Sequence, residues 1–212
     1  MRKNIIYSLL LVVAALFAGC ESRLDIAKHG NMGGQDDFYQ TDEQTEQAVA
    51  SMYSSLKGLY YNWFFTKNLL SDDVWCGGGQ RGDNTSLEQL NEYTYGTDNG
   101  MIQGVFSGLY GLIYQSNLVI EKVADDTPVK KRAIAEAKFF RAWANFELVT
   151  LWGTAPLVDH LLEPGEYRQG NSTPEALWAA VESDLNDAIS MNALPSKKNK
   201  DDQETGMRVT QE

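Results

Sequence analysis

The sequence predicts an all-α fold of paired antiparallel helices with long irregular loops, and three observations carry that prediction. Four long stretches repeat apolar residues at intervals of three and four, the spacing of one helix face. Two of them open on Thr-Pro, at Thr127-Pro128 and Thr173-Pro174. There the threonine hydroxyl can cap free backbone N–H groups, and proline suits the first helical position. Helix stops follow where they are needed: Gly153 with Pro156 beyond it, and Pro195.

The first helix begins at a capping box made by Thr41 and Gln44. Ala48, Val49, Met52, Tyr53, Leu56, Leu59 and Tyr60 then fall on one face. Residues 60–100 form the irregular part, in which Leu69 and Leu70 continue a second helical piece. Residues 72–84, with three glycines in a row at Gly77 to Gly79, read as a loop. Loops of this length inside a domain are uncommon and often functional. A second long helix spans about 100–123 and presents Ile102, Val105, Phe106, Leu109, Leu112, Ile113 and Ile120, with Asn117 near its end. The third runs from Thr127 to Gly153 and repeats Ile134, Ala137, Phe140, Ala144, Leu148 and Leu151. The fourth carries Leu177, Trp178, Val181, Leu185 and Ile189. Long helices joined by short turns give a TPR-like α/α superhelix in architecture. The repeat itself is weak: the two Thr-Pro starts lie 46 residues apart, not the roughly 34 of a tetratricopeptide unit.

The front of the chain is organised differently. Arg2 and Lys3 precede an apolar run from Ile5 to Phe17, followed by Ala18 and Gly19. That is the layout of a secretory signal over residues 1–19. This run of thirteen residues, interrupted only by Ser8, falls short of the roughly 20 needed to cross a bilayer as a helix. The stretch Leu16-Phe17-Ala18-Gly19-Cys20 resembles the lipobox of bacterial lipoproteins, whose cysteine is acylated and becomes the first mature residue. Cys20 is thus the expected lipid anchor, since buried acyl CH₂ groups contribute about 0.8 kcal/mol each and two chains hold far better than one. The plain alternative is a signal with a chance cysteine. Residues 20–40, with Gly30, Gly33 and Gly34, read as a lipidated tether, and residues 41–212 as the helical domain.

Removal of residues 1–19 shifts the net charge from −11 to −13, as Arg2 and Lys3 leave. Such acidity argues against nucleic acid or an anionic membrane surface as partner. With Cys20 acylated, Cys76 is the remaining thiol, so no internal disulfide is expected. Five Trp, ten Tyr and eight Phe supply stacking faces for a core or a binding surface.

The loop "SDDVWCGGGQRGDN" is the candidate ligand contact. Trp75 offers a face for a sugar ring, and Asp72, Asp73, Arg81 and Asn84 offer hydrogen bonds to hydroxyls. The opposing reading packs Trp75 beneath the loop and leaves the charges merely solvated, and Tyr61 and Trp63 share that ambiguity. Asp72, Asp73 and Asp83 do not follow EF-hand spacing, so no metal is expected. The three glycines lack a following Lys-Ser/Thr and form no P-loop. Cys76 has only His29 and His160 as possible partners, in no known nucleophile pattern. No catalytic residue and no cofactor is expected.

The segment "AEAKFFRAWANFELVTLWGTAPLVDH", through Glu136, Ala137, Phe139, Arg141, Ala142, Trp152, Gly153, Pro156 and Leu157, resembles the SusD/RagB family. Lys138 stands where that family more often has arginine. Tyr110, Ile113, Asn117 and Ile120 resemble the helix before it, with Phe106 in place of the usual tryptophan, and "TPEALWAAVESDLNDAISMNALP" resembles the helix after it. The resemblance implies an outer-membrane lipoprotein, facing the cell exterior, that captures glycans or peptides and hands them to a TonB-dependent, SusC-like transporter without catalysis. Family members are much longer, so the sequence reads as an N-terminal portion. Glu136 and Arg141 are too far apart for an i to i+4 pair, so each is expected to tie its helix to a neighbour. Arg132 and Glu136 do have that spacing, worth only tenths of a kcal/mol on an exposed face. Two rival functions remain: a TPR-like module that binds protein alone, and an anchored glycoside hydrolase.

Overall fold

A computed structural model describes residues 38–197 and 207–211; Cys20, the expected signal and the tether up to residue 37 lie outside the described residues. The described helices are α1 (Asp42–Leu69), α2 (Thr85–Asn91), α3 (Gly100–Lys122), α4 (Pro128–Trp152) and α5 (Pro174–Ser190), with a 3₁₀ turn at Pro164–Glu166. Among the described residues the one β-type pairing is an isolated antiparallel bridge between Ala155 and Ser172. The chain is all-α, as its periodicity predicts.

Local chemistry sets the helix starts. Thr41 and Gln44 close the capping box of α1 reciprocally, with Gln44 N donating to Thr41 Oγ1 at 3.2 Å and Thr41 N to Gln44 Oε1 at 3.0 Å. Thr127 and Thr173 accept from Lys130 N and Ala176 N, each with proline next in line. Gly153 ends α4 at φ 74°, a left-handed conformation that glycine adopts without a Cβ clash.

Cross-helix pairs fix the directions. Ser55 donates to Gln115, and Asn62 lies against Gly104, so α1 and α3 run antiparallel. Lys138 pairs with Asp187 and Arg141 with Asp184, so α4 and α5 do too. Between these pairs lies the core. Met52 and Leu59 of α1, Val105, Leu109, Leu112 and Ile113 of α3, Phe140 and Leu148 of α4, and Leu177 of α5 are all buried in it. Ala133, Ala137 and Ala144 are fully buried and let neighbouring backbones approach α4 closely.

The exit from α4 is laid along α3. Tyr110 donates to Pro156 O at 2.6 Å, and Asn117, seven residues further on and therefore on the same face, donates to His160 O at 2.9 Å. Arg141 completes the junction. Its Nε and Nη2 bind both carboxylate oxygens of Asp184 at 2.7 and 2.6 Å, while Nη1 binds Asn117 Oδ1 and Asp159 O. Glu136 ties α4 to other elements: it accepts from Tyr53 of α1 and pairs with Arg208 of the returning segment. Both residues do tie their helix to neighbours.

Several expectations need correction. Residues 60–70 are not a second helical piece, because α1 continues unbroken to Leu69. Helix α2 was not legible: at seven residues, with only Leu87 and Leu90 inward, it is too short to display a period. Tyr60, Trp178 and Ile189 lie on the expected apolar faces yet are 56%, 40% and 49% exposed, so those faces are only partly covered among the described residues. The Arg132–Glu136 pair is not a surface contact, because Glu136 is completely buried. Tyr39, inside the expected tether, is buried against the core.

Candidate functional site

A small apolar cluster places the loop. Leu87 and Leu90 of α2 pack on Leu69 at the end of α1 and Met101 at the start of α3. This seats α2 across the two helix ends, and residues 70–84 must bridge the gap between α1 and α2.

Side chains from α2 and just beyond then hold that bridge. Tyr93 Oη donates to Leu70 O at 3.0 Å. Asn91 grips both sides of Trp75: its Oδ1 accepts from Cys76 N at 3.0 Å, and its Nδ2 donates to Val74 O at 3.3 Å. Asp83 Oδ2 accepts from Gly79 N and Gln80 N at 2.6 and 3.0 Å, and Glu88 Oε1 accepts from Gly82 N at 2.7 Å. Arg81 Nη2 pairs with Glu92 Oε2 at 2.8 Å. The loop lacks regular structure, but side chains hold several of its backbone polar groups, which confers shape on an irregular segment.

Trp75 itself is 83% exposed. The reading in which it packs under the loop is therefore excluded. Its ring borders a hollow of about 300 Å³ whose walls include Gln80, Arg81, Glu88, Asn91 and Glu92. The loop residues singled out in the sequence divide accordingly. Trp75 and Arg81 come together at the hollow. Asp72 and Asp73 are exposed and stand outside its walls. Asn84 caps α2, its Oδ1 accepting from Leu87 N at 3.3 Å. The sequence missed Asn91, Glu88 and Glu92, and the signal lay in α2, whose i to i+4 spacing puts Glu88 and Glu92 on one side.

Burial first, then the carboxylates Glu88 and Glu92, pushes the Cys76 thiol up, which keeps it protonated and a poor nucleophile. Asp83 spends one oxygen on two N–H donors, an arrangement that organises backbone rather than a cation. Among the described residues no three His, Cys, Asp or Glu side chains are grouped to hold a metal ion, and no helix is long and apolar enough to cross a membrane. Trp63 and Tyr61 lie elsewhere: Trp63 lines an apolar groove of about 340 Å³ between α1 and α4 with Tyr60, Phe139 and Trp143, and Tyr61 stacks against Phe65.

Comparison with known proteins joins these observations. Residues 32–211 match a SusD-like family model described as starch-binding associating with outer membrane. A SusD-like protein of Bacteroides ovatus is 32% identical over 166 residues, covering 72% of this chain and 29% of that protein. SusD-like protein P2 of Formosa agariphila is 26% identical over 175 residues, 76% of this chain and 35% of the relative. The chain thus spans about a third of the length of these curated relatives. Among solved structures, a laminarin binding SusD-like protein superposes with TM-score 0.71 at 27% identity, over 82% of this chain and 38% of that one. Surface glycan-binding protein A from Bacteroides uniformis shares the fold with TM-score 0.67 at 24% identity, over 81% of this chain and 39% of its own. The helix exit held by Tyr110, Asn117 and Arg141 is the segment on which the resemblance rested, and with nearly the whole described chain inside the family match, this protein belongs to the SusD-like family.

Proposed function

We propose that this chain binds glycans at the outer face of the outer membrane, held there by acylated Cys20, and presents them to a TonB-dependent, SusC-like transporter. The observation that carries the binding part is Trp75: a large aromatic face, 83% exposed, on a loop that Asn91 clamps on both sides. Leaving so much apolar surface in water is unfavourable, and a pyranose ring laid on the indole removes it while Gln80, Arg81 and Asn91 meet the hydroxyls. Family membership points the same way, as do two structural neighbours described as laminarin binding and as surface glycan-binding.

Binding without catalysis fits the walls of the hollow. Each of its two carboxylates has an oxygen engaged in holding the loop, Glu88 with Gly82 N and Glu92 with Arg81, which supports a structural role for both.

Affinity electrophoresis of the purified chain through gels containing soluble polysaccharides tests this reading. Trp75→Ala should weaken retardation about tenfold while leaving the circular dichroism spectrum unchanged. Unaltered binding by Trp75→Ala would remove the loop from the site. For the anchor, Cys20→Ser should release the protein from the outer-membrane fraction.

A further inference from the structure

A second concave surface lies away from the Trp75 loop. Two adjoining hollows of about 670 and 440 Å³ share Thr97, Ile102 and Trp152, and together form a trough across the end of α4 and the start of α3. Each falls in the size range of small-ligand sites, about 300–1,000 Å³. Trp152 is its aromatic centre: half-buried, and braced by the Phe106 ring at 5.2 Å in an edge-on arrangement. Tyr95, 40% exposed, adds a second ring.

The polar lining is as informative. Thr66 is 2% exposed, lines the trough, and its Oγ1 is buried without a hydrogen-bond partner. Thr45, Ser107, Ser116 and Thr150 show what a helical hydroxyl ordinarily does, each donating to the carbonyl four residues earlier. Thr66 makes no such bond. A buried polar group left unmatched is unfavourable, and once the Thr66 side chain turns its oxygen toward the trough a ligand hydroxyl would satisfy it in either direction, as donor or acceptor. Ser107 donates its proton to Gln103 O at 2.8 Å, so its oxygen keeps lone pairs for an incoming donor. Gln103 in turn fixes the wall, donating from Nε2 to Thr97 O at 3.1 Å.

Among the described residues, no carboxylate, ammonium, guanidinium or imidazole lines either hollow. The trough therefore offers aromatic faces and neutral hydroxyl and amide groups only. That lining suits a neutral, polyhydroxylated ring. It does not suit a uronic acid, a phosphate or a peptide terminus, whose charge would be partly desolvated without a partner. We infer that this trough is a second carbohydrate subsite, selective for uncharged sugars, with Trp152 as the stacking platform and Thr66 Oγ1 as the buried hydrogen-bonding group. The inference rests on the reading of the chain as a glycan binder but places the ligand on a different surface.

Isothermal titration of the full chain with short neutral glucan, xylan and mannan oligosaccharides, and with oligogalacturonate as the charged probe, separates the two sites. The expected result is two sites for at least one neutral oligosaccharide. Trp75→Ala should remove one; the other should survive in that background, disappear in Trp75→Ala/Trp152→Ala, and weaken about fivefold in Trp75→Ala/Thr66→Val. Thr66→Val keeps the side-chain shape, so it remains informative if Trp152→Ala impairs folding. A single wild-type site that Trp75→Ala leaves unchanged, but that the Trp152 and Thr66 changes remove or weaken, supports the trough and overturns the Trp75 platform. Binding abolished by Trp75→Ala and indifferent to Thr66→Val and Trp152→Ala overturns the trough and leaves the platform standing. Binding of no neutral oligosaccharide overturns both, and oligogalacturonate bound as tightly at the second site overturns its selectivity.

Discussion

Arg141 and Asn91 are the residues whose roles depend most on geometry. Arg141 spreads its guanidinium between Asp184, Asn117 and Asp159 O, and both ends of its ion pair are nearly buried. Removing one partner of such a pair strands the other charge, so Arg141→Ala should lower the unfolding free energy by about 3–5 kcal/mol in urea titration. Arg141→Lys keeps the charge but cannot reproduce the planar fork, and should recover only part of that loss. The sequence showed that Arg141 must reach a neighbouring helix; that the neighbour is α5 depends on how α4 and α5 cross. Asn91 is the opposite case, a residue with no signal of its own. Asn91→Ala removes both bonds that frame Trp75. It should weaken polysaccharide retardation in affinity gels with Trp75 still present, because an unclamped platform must be ordered at the moment of binding. A variant as strongly retarded as the wild type would show that the clamp contributes nothing.

At the scale of elements, the seam between α1 and α3 is set by glycine. A Cβ built on Gly108 would stand 2.8 Å from Leu59 Cδ1, and one on Gly104 would collide with the Asn62 amide, whereas Gly111 faces open space. All three lie inside α3, where alanine is intrinsically better by up to about 1 kcal/mol. Gly111→Ala should therefore stabilise the protein by about 0.5–1 kcal/mol. At Gly108 the same propensity gain is opposed by overpacking against a buried leucine, typically about 1–3 kcal/mol, so Gly108→Ala should destabilise by about 1 kcal/mol. Paired thermal melts decide it, and equal shifts for both variants would mean that the seam gives way easily. The starts of α1, α4 and α5 were legible because caps are local chemistry. The continuity of α1 through residue 69 and the existence of α2 were not, because both rest on burial of Leu69, Leu87 and Leu90 against Met101, a contact between segments far apart in the chain.

At the scale of the whole described body, long-range charge contacts tie its helices together. Arg208 returns from the chain's far end to pair with Glu136 of α4 and Glu46 of α1, and Val209 N donates to Tyr53 Oη. Tyr53 is pushed up to about 12 by burial and then by Glu136, so it stays a neutral donor at any physiological pH. At the surface, His160 places Nδ1 2.7 Å from Asp159 and Nε2 3.1 Å from Glu166. These two hydrogen bonds, Asp159's first, raise the imidazole above its ordinary 6.5. The His160 bond lowers Asp159 below 3.8, and the Glu163 amide, then His160, lowers Glu166 below 4.5. The signs differ. The raised histidine adds stability that is complete below about 6.5 and fades as pH climbs through its folded value. The lowered carboxylates add stability present above about 4.5 and lost as pH falls through theirs. The cluster should therefore be tightest between about pH 4.5 and 6.5, with the wild-type advantage in Tm over His160→Gln greatest there and shrinking toward pH 9. A proton NMR midpoint for His160 at or below 6.5 would contradict this. By itself the sequence determined the starts of α1, α4 and α5 and the all-α class, because capping, proline position and apolar period act over a few neighbouring residues, and its resemblance over residues 135–160 pointed to the family. Only the tertiary structure decided which faces stay bare, that Trp75 stands in solvent rather than in the core, and that Thr66 is buried with its hydroxyl unmatched. Burial belongs to segments meeting across the chain, and no local pattern records it.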